Sequence, residues 1–308
     1  MQKRIFHILF FATSLLLTFS LFPQTYAAET KFTVVIDAGH GGHDPGAVGR
    51  RGKEKNINLS VALKLGRLIK QNCPDTKVVY TREKDVFIPL HRRAEIANDA
   101  KADLFISIHT NSIASRSSKV SGTETYTLGL HRTEENLEVA KKENAVILIE
   151  DDYKQRYAGF NPNSAESYII FEFLQDKNMA QSVNFATAVQ RCFRNANRTN
   201  KGVHQAGFLV LRATSMPSVL VELGYISNPT EEAYLLSSNG TSTLAKSIYQ
   251  AFLRYKQEQG FNAGKPLSQS FPAEDEPATE SASDVLTADL TEEPLPPVET
   301  VESAAAPV

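Results

Sequence analysis

Two histidines and two glutamates, far apart along the chain, carry most of its chemical promise. His40 lies in Asp37-Ala38-Gly39-His40-Gly41-Gly42 and His109 in Ser107-Ile108-His109-Thr110-Asn111. Glu54 follows the Gly-rich loop 46–52, and Glu222 sits in Val219-Leu220-Val221-Glu222-Leu223-Gly224. A catalytic zinc needs three protein ligands and one open position, which two imidazoles and a carboxylate supply. An acid directly behind an apolar run is costly to bury unless it is paired or employed. Glu222 therefore suits a base that takes a proton from an activated water and passes it to a leaving amine. Each residue alone has a plainer reading. A histidine after a strand is more often a hydrogen-bonded turn or core residue, and His43, His91, His131 and His204 are read that way. Glu54 alone would be a helix-start carboxylate favoured by the dipole, and Glu222 a cap on the turn that follows.

For the four to meet, the chain must bring distant segments to one end of a sheet. Lys31 to Asp37 reads as a buried strand cut off by a Gly-rich turn, with His40 at its carboxyl end. Asn56 to Lys70 places Ile57, Val61, Leu65, Leu68 and Ile69 on one helical face. Further strands are predicted over Lys77 to Thr81, Asp103 to Ile108 and Gly122 to Leu128, with short apolar runs at Gly207 to Leu211 and Ser218 to Val221. Helices are predicted over Leu90 to Ala100, Met179 to Arg194 and Ser242 to Gln257. This alternation predicts an α/β layer fold, in which ligands bind outside the carboxyl ends of the strands.

The two ends differ from the body. Lys3 and Arg4, an apolar run from Ile5 to Phe22 and Thr25-Tyr26-Ala27 predict a cleaved secretory signal peptide over residues 1–28. Residues 261–308 hold ten acidic residues against Lys265 alone, with seven prolines and no apolar periodicity. Such a segment cannot offset its ordering entropy and is expected to stay disordered. The net charge of −2 leaves the body, 29–260, near +5. That suits an anionic polymer, but no basic stripe with interleaved aromatics points to nucleic acid. Cys73 and Cys192 can be bridged or merely buried.

Taken in order, 37–42, Glu54, 107–111 and 221–228 resemble the zinc-dependent N-acetylmuramoyl-L-alanine amidases of the AmiC type. Leu90 to Asn98 is similar to that family's helix before the second histidine, and the likeness covers about Phe32 to Tyr255. The resemblance implies a single-domain α/β fold with a twisted, mostly parallel sheet flanked by helices. It implies one Zn2+ per chain, held by His40, Glu54 and His109, with Glu222 as the catalytic acid and base. The implied reaction hydrolyses the amide between N-acetylmuramic acid and the L-alanine of the peptidoglycan stem, in wall remodelling or daughter-cell separation. The implied place is the periplasm or cell exterior, with no membrane span once the leader is cleaved.

One stretch breaks the alternation. Gly129 to Asp176 is far longer than the usual 2–6-residue connection and asks for a functional explanation. Thr133 can cap a helix running through Val146 to about Glu150, and Ala165 to Gln175 reads as a second short helix. In AmiC-type amidases of cell division, an insertion here covers the zinc cleft until a LytM-domain activator displaces it. The block 132–175 is similar in position, and Glu143, Glu150 and Glu166 are the candidates to occupy zinc's open site. The alternative is a surface helical hairpin that shapes the substrate groove.

Three rival readings are weaker. Another exported zinc hydrolase, a peptidase or a carbohydrate deacetylase, would call for a His-x-x-x-His pair or an Asp/His cluster. A non-catalytic wall-binding module would lack a ligand or the base, and all four positions are filled. A phosphate-cradling loop at 40–46 lacks the Lys-Ser/Thr ending of a P-loop.

Overall fold

The computed structural model describes residues 31–115, 119–173, 177–262 and 264–267. The leader (1–28) and nearly all of the acidic tail (261–308) lie outside the described residues. Among the described residues, no helix is long and apolar enough to cross a membrane.

Six strands form one sheet in the order β2-β1-β3-β6-β4-β5. They are β1 (Phe32–Ala38), β2 (Thr76–Tyr80), β3 (Leu104–Asn111), β4 (Thr123–Leu128), β5 (Asn200–Ala206) and β6 (Ser218–Tyr225). Every pairing is parallel except β4 with β6, as the expected mostly parallel sheet requires. The helices are α1 (Glu54–Asn72), α2 (Leu90–Asp99), α3 (Glu134–Asn144), α4 (Tyr153–Arg156), α5 (Met179–Asn195), α6 (Leu209–Arg212), α7 (Pro229–Leu236) and α8 (Ser238–Glu258).

Strand parity sorts the side chains onto two faces. Val34, Ile36, Leu104, Ile106, Ile108, Val219 and Val221 point to one core, with α1, α5 and α8 packed over them. Val35, Phe105, Leu220, Tyr126 and Leu128 point to the other, beneath α2, α6 and the insertion. Asp37, His109, Glu222 and Glu124 share the second parity, so the polar ends of four strands emerge on the insertion's side. Between β1 and β3 the chain order reverses, because β2 lies on one side of β1 and β3 on the other. A crevice at the carboxyl ends of such a pair is where open α/β sheets take ligands. His40 and His109 flank it.

Several elements differ from the sequence reading. Strand β3 runs past His109 to Asn111, with an irregularity in its pairing to β6 just there. The run 207–211 is not a strand; its apolar residues make the short helix α6, while the edge strand is the polar segment β5 before it. An edge strand needs no apolar alternation, so its pattern is silent. Helix α7, capped by Asn228 with Pro229 at its first position, was not predicted. Thr133 does cap α3, but the α-helix ends at Asn144 and gives way to a 3-10 turn, Ala145–Ile149. The second insertion helix is likewise 3-10, over Ala165–Phe173. Both cysteines are free, Cys73 buried and Cys192 half-buried.

Candidate metal centre and acid–base site

His40 reaches the crevice through a strained turn. Gly39 still bonds from its N–H to the Ile108 carbonyl at 3.0 Å, continuing the strand pairing for one residue. A Cβ on Gly39 would lie 2.4 Å from the His109 ring, so only glycine lets that ring pass. His40 then takes φ +63°, followed by Gly41 at +130° and Gly42 at +60°. A left-handed histidine costs on the order of 1–2 kcal/mol and persists only where its surroundings over-determine it. Two buried arginines do so. Arg82 Nε donates to the Ala38 carbonyl at 2.8 Å and its Nη2 to Gly39 at 2.9 Å. Arg93 Nη1 donates to Ala38 at 2.9 Å and Nη2 to the His40 carbonyl at 3.0 Å. Asp44 Oδ2 meets His40 Nδ1 at 2.7 Å, which fixes the ring and turns Nε2 inward.

Glu54 is the first residue of α1 and fully buried. Its Oε2 accepts from the Ala47 N–H at 2.7 Å, and its Oε1 from Thr110 N–H at 2.9 Å and Asn58 Nδ2 at 3.3 Å. So held, Oε1 lies 3.1 Å from His40 Nε2 and 3.4 Å from His109 Nδ1. The predicted ligands His40, Glu54 and His109 thus come together from a turn, a helix start and a strand.

A fourth donor joins them. Glu143, near the end of α3, places Oε2 3.0 Å from His40 Nε2 and 2.8 Å from His109 Nδ1. Of the three insertion acids considered, this is the one in the site. Glu166 is exposed and paired with Ser164, and Glu150 lies at the start of α2. The donor atoms of His40, Glu54, His109 and Glu143 all fall within 4.8 Å of one another, and all four residues are buried. His109 Nδ1 nevertheless makes no well-aligned hydrogen bond, and Glu143 Oε1 has none either.

These donors fit a zinc ion on their own chemistry. Two imidazole nitrogens with carboxylate oxygens suit a divalent cation, and orphaned buried polar atoms call for a partner. The electrostatics agree. Burial pulls the His40 pKa down, but Glu54, Asp44 and Glu143 push it well above the usual imidazole value. Burial likewise opposes a charged His109, yet Glu143 and Glu54 raise it to about 9. For Glu54, burial raises the pKa, and His40 and Lys142 outweigh it and hold the carboxyl well below its usual range. The pocket is built for positive charge.

Glu222 stands apart from the donor set. It pairs in register with His109 on one side and Glu124 on the other. Both of its carboxylate oxygens are buried without a hydrogen-bond partner among the described residues. Burial first, then the nearby Glu143 and Glu54, push its pKa well above the carboxylate range. Next to it Glu124 is fully engaged: Tyr126 Oη, Tyr225 Oη and Asn111 Nδ2 donate to it at 3.0, 3.0 and 3.1 Å. Glu222 is thus a buried, unengaged acid beside engaged ones, which makes it a candidate for proton transfer.

Sequence reasoning did not find Asp44 or Arg93, which hold His40, although an acid four residues after a candidate ligand is a signal. Of the histidines set aside, His43 packs on Phe87, with ring centres 4.2 Å apart, and His204 Nε2 meets the Lys201 carbonyl at 2.9 Å. His91 and His131 instead each bury an Nδ1 without a hydrogen-bond partner among the described residues, and His91 lies with Glu150 and Asp152 in a second group that could hold a metal ion.

Known proteins carry the same body. Residues 34–254 match the family model described as N-acetylmuramoyl-L-alanine amidase. The chain is 34% identical over 240 residues to the N-acetylmuramoyl-L-alanine amidase AmiC of Escherichia coli O6:H1. That match covers 76% of this chain and 55% of the relative, so the chain spans little more than half of it. The catalytic domain of CwlV from Bacillus (Paenibacillus) polymyxa superposes with a TM-score of 0.54 at 33% identity, over 73% of this chain and 98% of that one. AmiC2 of Nostoc punctiforme superposes at 0.54 with 29% identity, over 75% and 99%. The family model spans all four motifs, 37–42, Glu54, 107–111 and 221–228, and the chain belongs to the N-acetylmuramoyl-L-alanine amidases, a family of peptidoglycan hydrolases.

Proposed function

We propose that the chain is a zinc-dependent amidase that cuts the bond between N-acetylmuramic acid and L-alanine, and that its own insertion blocks it. The observation that supports the zinc reading is the meeting of His40 Nε2, Glu54 Oε1 and His109 Nδ1 from three separate elements. When bound there, zinc would supply Lewis acidity, polarising a carbonyl and making water a better nucleophile. His40, Glu54 and His109 would hold the ion, and Asp44 keeps the His40 ring turned toward it. Glu222 removes the proton from the attacking water and delivers it to the stem-peptide nitrogen as the amide breaks. An unpaired carboxyl beside that site can do both, because no donor among the described residues competes for its oxygens.

The test uses isolated sacculi and mass analysis of the products. Zinc-loaded protein without its block releases intact stem peptides beginning with L-alanine, and a chelator stops the release. Release of acetate, or of fragments cut within the stem, would overturn the assignment in favour of a deacetylase or peptidase.

The self-block rests on Glu143. Its Oε2 lies 3.0 Å from His40 Nε2 and 2.8 Å from His109 Nδ1, where it would compete with water for a bound ion. Lys142 beside it, with Nζ 3.2 Å from Glu143 Oε1 and 3.9 Å from Glu54 Oε2, balances the carboxylates that the insertion brings together. Glu143→Ala should raise basal turnover on sacculi with zinc retained. The wider reading is an exported enzyme, carried out by the leader 1–28 and acting in daughter-cell separation. A LytM-domain activator is the expected agent that lifts the insertion.

A further inference from the structure

We propose that Glu150 is a second latch on the insertion, one that closes it by capping α2, the helix that holds His40. This deepens the self-block reading and rests on it. Helix α2 begins after Pro89 with no side-chain cap and no acid in its first turn. Its leading N–H groups therefore need partners from elsewhere. Glu150 supplies one across 60 residues of sequence: its Oε1 accepts from the Leu90 N–H at 2.8 Å, in a buried bond. The same carboxylate faces His91 Nδ1 at 3.5 Å and accepts from Tyr157 Oη at 3.3 Å through Oε2. A negative group there also meets the positive end of the helix dipole.

Three residues into that helix, Arg93 binds Asp37, the Ala38 carbonyl and the His40 carbonyl. The insertion thus grips the site at two points on either side of the 3-10 turn Ala145–Ile149, whose Ile147 is buried in the core below. Glu143 engages the donor cluster, and Glu150 engages the helix beneath it. Lifting the insertion breaks both grips, and losing one should make lifting easier in proportion to the loss of one helix cap.

The experiment compares full-length, zinc-loaded Glu150→Ala, Glu150→Gln, Tyr157→Phe and Glu143→Ala with wild type. Two readouts are taken: basal turnover on sacculi, and amide hydrogen exchange across 134–149. Glu150→Ala should raise basal turnover roughly fivefold to tenfold, as loss of one cap would, and should speed exchange across 134–149. Glu150→Gln keeps an acceptor for Leu90 and should stay near wild type, while Tyr157→Phe gives a smaller rise. If Glu143→Ala raises turnover but Glu150→Ala changes neither turnover nor exchange, the latch is overturned and the self-block stands. If Glu143→Ala gives no rise, the self-block falls and the latch falls with it.

Discussion

His109 and Glu222 lie opposite one another on neighbouring strands, β3 and β6, in direct register, yet only His109 belongs to the donor cluster. The sheet itself therefore sets the spacing between the proposed ligand and the proposed base, without relying on a loop. Substituting Glu222 should separate chemistry from metal binding. Glu222→Gln is expected to lower turnover about 10²–10⁴-fold, the usual weight of general acid–base catalysis. Its zinc content should stay near one per chain by elemental analysis. Near-normal turnover in the zinc-loaded variant would rule the role out.

Asp44 touches no substrate in this scheme and acts through His40. Asp44→Ala frees the imidazole from its 2.7 Å partner, and zinc affinity should fall about 10–100-fold. Chelator competition reads this directly. Unchanged affinity would mean that the ring is held by packing alone.

Gly39 is a tight point of the site. A methyl there would meet the His109 ring at 2.4 Å, so Gly39→Ala must displace a proposed ligand. The expected result is a protein that folds with little zinc and little activity. Full zinc occupancy by Gly39→Ala would show that the strand end yields more than its contacts imply.

The buried pair of Asp37 and Arg93 should govern acid stability. Burial raises the Asp37 pKa, but Arg93 at 2.8 Å, with the Thr81 and Ser107 hydroxyls, brings it below the ordinary carboxylate value. A depressed folded pKa contributes stability that is fully present above the unfolded value of about 3.9 and is lost as pH falls through the folded one. Urea unfolding from pH 7 down to 2 should show this loss below about pH 4, and Asp37→Asn should flatten it. Arg93→Met, which strands the carboxylate, should cost about 3–5 kcal/mol at neutral pH.

Much of this was legible in the sequence because burial on both faces leaves a plain mark. Strands β1 and β3 read as apolar runs, and their histidines sit where the runs stop. Glu54 and Glu222 were legible by position after a glycine loop and after an apolar strand. Strand β5 was not, since an edge strand of Asn, Lys, Gly, His and Gln has no apolar period. Glu143 could not be separated from Glu150 and Glu166 beforehand. The choice depends on Leu137, Ala140 and Ile147 seating the insertion on the sheet's second face, a tertiary fact without a local signature.

The way the insertion is seated has one more consequence. Leu137, Ala140, Ile147, Tyr168 and Phe171 are buried beside Phe208 and Leu220, so the insertion proposed to block the site is also part of the domain's interior. Pulling it away wets oily side chains at about 1.5–3 kcal/mol for each large one. If the insertion is the block proposed above, spontaneous opening is expected to be rare, and a lasting open state would need something else to cover that surface. For the same reason excising 132–175 would leave a hole, and single substitutions probe the restraint more cleanly than truncation.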